Sequence, residues 1–190
     1  MNLSWPSSTF PEGPLVLDAS VLFNLLGSGV PKDFIRALDV PCLVEERTAA
    51  EIRRMPGERA ETAPLRALID DGLLQLCRMP ETAYITYLSL VTGTSADTLD
   101  DGESAAIAMA SDGAGGVVLD DKKARRILRE RFPSLGYGSS LALMVMAAQR
   151  AGWELERLQD ALTKARSTSR MAVVPDERPI FDRLFAPVSM

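Results

Sequence analysis

Two short apolar runs each close on an aspartate: Leu15-Val16-Leu17 before Asp18, and Val117-Val118-Leu119 before Asp120. Runs this short are strands buried on both faces rather than helices. Two further runs, Pro41-Cys42-Leu43-Val44 and Leu73-Leu74-Gln75-Leu76, lie between them and are separated by helical stretches. Strands alternating with helices predict an α/β fold with a central parallel sheet flanked by helices. In an open parallel sheet the carboxyl ends of the strands face one crevice. Asp18 and Asp120, about 100 positions apart, are therefore expected as neighbours in space.

The helices follow from punctuation. The stretch after Asp18 stops at Gly27-Ser28-Gly29, and Pro31 starts another helix through Phe34, Ile35 and Leu38. Helices are also expected over 45–54, ending near Pro56-Gly57, and over 63–71. Residues 82–91 read as apolar and partly helical, and residues 104–111 as a helix broken at Asp112-Gly113. Beyond the basic stretch 122–131, helices are expected at 140–150, capped by Ser139, at 154–166, and at 179–184. Residues 171–174 fit an edge strand or an extended arm equally. The organisation predicted is an N-terminal tail or strap over 1–14, an α/β core over 15–138, and a helical C-terminal extension over 139–190 packed on the same domain. At 190 residues and 46% hydrophobic content, one core suffices.

Composition removes whole classes of chemistry. There is no histidine, which excludes Ser-His-Asp and Cys-His catalysis and His-ligated zinc. Two cysteines, Cys42 and Cys77, are too few for a thiolate zinc site and are expected reduced and buried. No apolar stretch is long enough for a membrane span, and the first fourteen residues lack a basic segment leading into an apolar one. A cytoplasmic protein without membrane contact is the expectation. The net charge of -5 disfavours a general nucleic-acid coat but leaves room for a local basic groove.

The remaining chemistry lies in carboxylates, which suit a hard divalent cation such as Mg²⁺ or Mn²⁺. Asp18 is one candidate, with a turn or cap as its alternative role, and Ser20 is placed either to support it or to cap. Glu51 follows Arg47 by one helical turn and could equally form a surface ion pair with it. Glu103 shares a helical face with Ile107 and Ala110, while its spacing from Asp100 also fits a capping box. Of the adjacent Asp120 and Asp121, one can cap the next helix while the other faces the crevice. Immediately downstream, residues 122–131 contain six Lys or Arg and one Glu. That run reads as a solvated helix face or, beside an acidic pocket, as a rim for phosphates.

These residues fall into four words: Val16-Leu17-Asp18-Ala19-Ser20-Val21-Leu22; Glu46-Arg47-Thr48-Ala49-Ala50-Glu51-Ile52; Asp101-Gly102-Glu103-Ser104-Ala105-Ala106-Ile107-Ala108-Met109-Ala110; and Val118-Leu119-Asp120-Asp121-Lys122-Lys123-Ala124-Arg125-Arg126. Their content and order resemble the PIN-domain family of metal-dependent nucleases, which includes bacterial toxin ribonucleases. The resemblance implies an acidic quartet of Asp18, Glu51, Glu103 and Asp120, with Asp121 competing for the fourth place and Ser20 in the hydroxyl position beside the first acid. It implies Mg²⁺ or Mn²⁺ held by Asp18, Glu103 and Asp120 or Asp121, phosphates bound by Lys122, Lys123, Arg125 and Arg126, and RNA as substrate. The segment from Ser140 to Gly152 resembles the helical extension of a PIN subgroup. Thr48 departs from the family pattern, which has a larger β-branched residue there. A homodimer built on the apolar C-terminal helices and an antitoxin-like protein partner are further expectations. The rival readings are a noncatalytic nucleic-acid-binding or protein-interaction module on the same fold, and a metal-dependent phosphatase.

Overall fold

The computed structural model describes residue 11 and residues 13–54 and 58–186. The strap expected over 1–14 and the stop at Pro56-Gly57 thus lie largely outside the described residues. Strand β1 (Leu15–Leu17) forms the centre of a five-stranded parallel sheet. It pairs with β2 (Cys42–Glu45) on one side and β4 (Gly116–Val118) on the other. Strands β3 (Leu74–Cys77) and β5 (Tyr137–Gly138) form the two edges, giving the order β3-β2-β1-β4-β5. The chain winds outward from β1 to β3, then returns to the other side of β1 for β4 and β5. The reversal falls between β1 and β4, where a doubly wound sheet opens its crevice.

Alternation along each strand sorts the core into two layers. Leu15 and Leu17 of β1 join one cluster with α1 (Ala19–Gly27), α2 (Pro31–Leu38), α8 (Ser140–Arg150) and α9 (Leu155–Ser169). Val16 joins the opposite cluster with α6 (Asp101–Met109) and α7 (Lys122–Arg131). The remaining helices are α3 (Glu46–Arg54), α4 (Glu58–Asp70), α5 (Glu81–Val91) and α10 (Arg178–Leu184). Helix α6 is rich in Ala, and its small side chains let it lie close against the sheet. At the entry to β4, Gly115 has φ +136°, and a Cβ there would meet the Pro14 carbonyl oxygen at 2.0 Å, so glycine is required.

Several expectations change in detail. Residues 82–91 are helical throughout, within α5. Helix α4 starts at Glu58, five residues early, with Pro64 inside it. Helix α6 runs into a wide turn over Ala110–Ala114 instead of stopping at Ser111. Residues 171–174 form an extended arm with Met171 and Val174 buried, and no strand. Leu141, Leu143, Met144, Val145, Leu158 and Leu162 of the C-terminal helices are fully buried in the core, and the half-buried Leu155 packs against it. Both cysteines are free thiols. Cys42 is buried, which pushes its thiol up to about 12. No helix among the described residues is long and apolar enough to cross a membrane.

Candidate active site

Asp18 lies where β1 hands over to α1, with its backbone N–H donating to the Val118 carbonyl at 3.0 Å. Its Oδ2 accepts from the Ser20 N–H at 3.1 Å and the Ser20 hydroxyl at 2.6 Å. The side chain therefore caps α1 and faces the β1/β4 switch at once; the two roles weighed for it are compatible. Burial holds its carboxyl above the usual range, against the pull of Ser20 and with a push from Asp121.

The two aspartates after β4 divide the work between a cap and an inward position, and the structure decides which takes which role. Asp121 is the cap: its Oδ1 accepts from the Ala124 N–H at 2.8 Å, and the residue is exposed. Asp120 turns inward to a built network. Its Oδ1 accepts from the Ser140 N–H at 2.8 Å, and its Oδ2 accepts from the Ser140 hydroxyl at 2.5 Å and from Asn24 Nδ2 at 2.9 Å. Asn24 in turn accepts from the Ser169 hydroxyl at 3.1 Å, so α1, α8 and α9 all converge on Asp120.

Glu51 does not pair with Arg47. Arg47 pairs instead with the buried Glu45 at 3.1 Å and lies 4.8 Å from the centre of the Tyr87 ring. Glu51 Oε1 accepts from the Gly102 N–H at 2.8 Å, at the start of α6. One turn earlier, the buried Thr48 donates its hydroxyl to the Gly102 carbonyl at 3.4 Å. Two residues of α3 thus grip the two peptide groups that flank the Gly102 Cα, which gives a use to the hydroxyl residue at position 48. A Cβ at Gly102 would come within 2.6 Å of Glu51 Oε1, so this approach needs glycine. Asp100 precedes α6 but makes no side-chain cap bond.

Electrostatics join these groups. Glu103 is pushed up to about 8, first by burial and then by Asp121, Asp18 and Asp100, in that order. Glu51 is raised by burial and by Asp18, Asp100 and Asp101. Asp120 is raised by burial and by Asp18, against Ser140 and Arg125. Asp18 is the group common to all of these couplings. Among the described residues, however, no three acidic or thiol side chains are gathered closely enough to share an ion as they stand. The close gathering expected of Asp18, Glu103 and Asp120 or Asp121 is therefore not present among the described residues as they stand. Like charges repel, and each carboxylate with a resolved hydrogen bond leans on a protein donor. The donor chemistry nevertheless fits a hard divalent cation: oxygen ligands only, with mutual repulsion that such an ion would relieve.

A family model described as a PIN domain matches residues 14–176. The chain belongs to the PIN-domain family. Neither a curated protein nor a solved structure matches it. PIN domains are in general nuclease-type hydrolases that use divalent metals.

In this PIN domain the basic helix α7 is only in part a free rim. Arg125 is buried: it donates to the Leu119 carbonyl at 3.4 Å, pairs with Glu177 at 3.6 Å and lies 5.1 Å from the centre of the Tyr137 ring. That corrects its expected role as a phosphate ligand. Lys123 donates to the Ser95 carbonyl at 2.7 Å, and Arg126 donates to the Ala96 carbonyl at 2.8 Å and pairs with Glu130 at 2.7 Å. Both tether the loop before α6. Lys122 alone of the four is exposed and forms no ion pair or hydrogen bond among the described residues. Sequence reasoning missed Asn24, Ser140 and Glu177. Asn24, a polar residue within the apolar helix after Asp18, was the readable signal among them.

Proposed function

We propose that this PIN domain is a divalent-metal-dependent endoribonuclease that hydrolyses phosphodiesters of single-stranded or structured RNA. The observation that carries the reading is the group of mutually repelling carboxylates at the β1/β4 switch, with Asp18 at its hub. Asp18, Glu103 and Asp121 are the residues assigned to hold Mg²⁺ or Mn²⁺. Asp121 is preferred to Asp120 because it is the strongest like-charge neighbour of Glu103 and only its Oδ1 is engaged, whereas both oxygens of Asp120 serve the fold. A bound divalent ion supplies polarisation of a phosphate oxygen and a water of lowered pKa. Glu51, anchored through Oε1, would use Oε2 to orient the attacking water and take up its proton. Lys122 meets a phosphate flanking the scissile bond. RNA rests on the family resemblance.

Cleavage of labelled single-stranded and hairpin RNA tests this in Mg²⁺ and Mn²⁺, with EDTA and with Asp18→Asn. Asparagine caps a helix as well as aspartate does but lacks the charge that holds a cation. The expected result is metal-dependent cleavage that falls at least about 100-fold in Asp18→Asn, with unchanged circular dichroism. Equal cleavage by both proteins, or cleavage that persists in EDTA, rejects the assignment. No cleavage of any RNA favours the noncatalytic module.

A further inference from the structure

Beside the carboxylates, on the flank built by α3, β3 and α5, lies an open groove of about 1110 Å³. Glu51 lines it, so the groove shares that carboxylate with the candidate site. Tyr84 lines it with its ring 5.6 Å from that of Tyr87 at an interplanar angle of 29°, a stacked pair. Tyr87 is fixed by its hydroxyl, which donates to Asp101 Oδ1 at 2.9 Å, and by the Arg47 guanidinium beside its ring. Tyr84 is therefore a braced ring that is still 45% exposed.

Charge decides which part of a nucleotide the groove takes. Glu46, Glu51, Glu81 and Asp101 line it, and a run of phosphates laid along them would be repelled. Arg47 is engaged by Glu45. Arg78 is exposed and makes no ion pair or hydrogen bond among the described residues, so one phosphate has a partner. Every base offers a π face, and an exposed aromatic ring binds it without regard to charge. Stacking also requires that the base be unpaired.

We propose that Tyr84 is the stacking platform of a nucleobase subsite and that Arg78 holds the phosphate next to that base, so that this flank of the crevice selects an unpaired nucleotide. The proposal rests on the phosphodiester reading of the crevice, with which it shares Glu51, and it narrows the substrate to single-stranded RNA at this position.

The test is binding, measured apart from cleavage. In the Asp18→Asn background and in Mg²⁺, fluorescence anisotropy compares a 12-nucleotide unpaired RNA with a duplex of the same length for the parent, Tyr84→Ala, Tyr84→Phe and Arg78→Ala. Tyr84→Ala weakens binding of the unpaired RNA about 10-fold, Tyr84→Phe restores it, and duplex binding is unchanged in both. Arg78→Ala lowers the slope of log affinity against log salt by about 0.7, the share of one phosphate on a single strand. Unchanged binding of unpaired RNA by Tyr84→Ala, equal loss for duplex and single strand, or no RNA binding by the parent overturns the subsite. If wild type cleaves RNA while Tyr84→Ala binds normally, the subsite fails and the nuclease stands. Tyr84-dependent binding without wild-type cleavage has the opposite meaning.

Discussion

At Gly102 one absent methyl group decides where Glu51 sits. The Gly102→Ala Cβ would meet the Glu51 carboxylate at 2.6 Å, and the flexible carboxylate is what must yield. Alanine in a helical first turn is otherwise favourable by about 1 kcal/mol over glycine. Gly102→Ala is therefore expected to keep or raise the melting temperature while cutting cleavage about 10- to 100-fold through misplacement of Glu51. Parallel calorimetry and kinetics check this; a loss of stability with activity retained would contradict it. The grip on Gly102 was not legible in the sequence, where Glu51 and Arg47 stand at ion-pair spacing, because the competing donor lies on a helix 51 positions away. The position of Asp18 at the end of β1 was legible, because the continuous apolar run before it marks the strand, while its cap on α1 is one of the two roles the sequence left open. The choice between Asp120 and Asp121 was not, since it turns on which of two adjacent carboxylates enters the cap of α7 and which meets Ser140.

At the scale of elements, the C-terminal extension is tied to the core by buried polar contacts. Glu177, just before α10, accepts from the Ser139 hydroxyl at 2.5 Å and pairs with Arg125 of α7 at 3.6 Å, with both charged side chains 9% exposed. Removing one partner leaves a buried charge without compensation, at a cost of about 3 kcal/mol. Glu177→Ala should thus lower the melting temperature by roughly 6 to 12 °C, and Arg125→Met added to it should recover most of that loss. A thermal scan showing no change in Glu177→Ala would reject the tie. Strands β1 and β4 could be read directly because each is a continuous apolar run. Strand β5 could not, since Tyr137–Gly138 has no run of its own and exists by pairing with β4. Arg125 was misread for a related reason: composition marked α7 as basic, but Ala124, Ile127 and Leu128 on the same turns are buried and carry Arg125 inward with them.

For the molecule as a whole, the acidic crevice links stability to pH. Glu103 has its carboxyl raised from 4.5 to about 8 by burial and by Asp121, Asp18 and Asp100, so between those values the folded protein binds more protons than the unfolded chain. Stability from this group is full below about pH 4.5 and is lost as pH rises through about 8. In EDTA the melting temperature should fall by about 5 °C or more from pH 5 to pH 8, and Mn²⁺ should reverse the fall most strongly at the alkaline end, where the acids are free to bind it. A flat profile that Mn²⁺ leaves unchanged would contradict this linkage. The most direct test of the account is Mn²⁺ located by its anomalous scattering in crystals of this protein. The account predicts an ion in the β1/β4 crevice with oxygens of Asp18, Glu103 and Asp121 at about 2.0 to 2.6 Å, and with Asp120 still bound to Ser140 and Asn24. A crevice without Mn²⁺ at millimolar concentration, or an ion held away from Asp18, would contradict it.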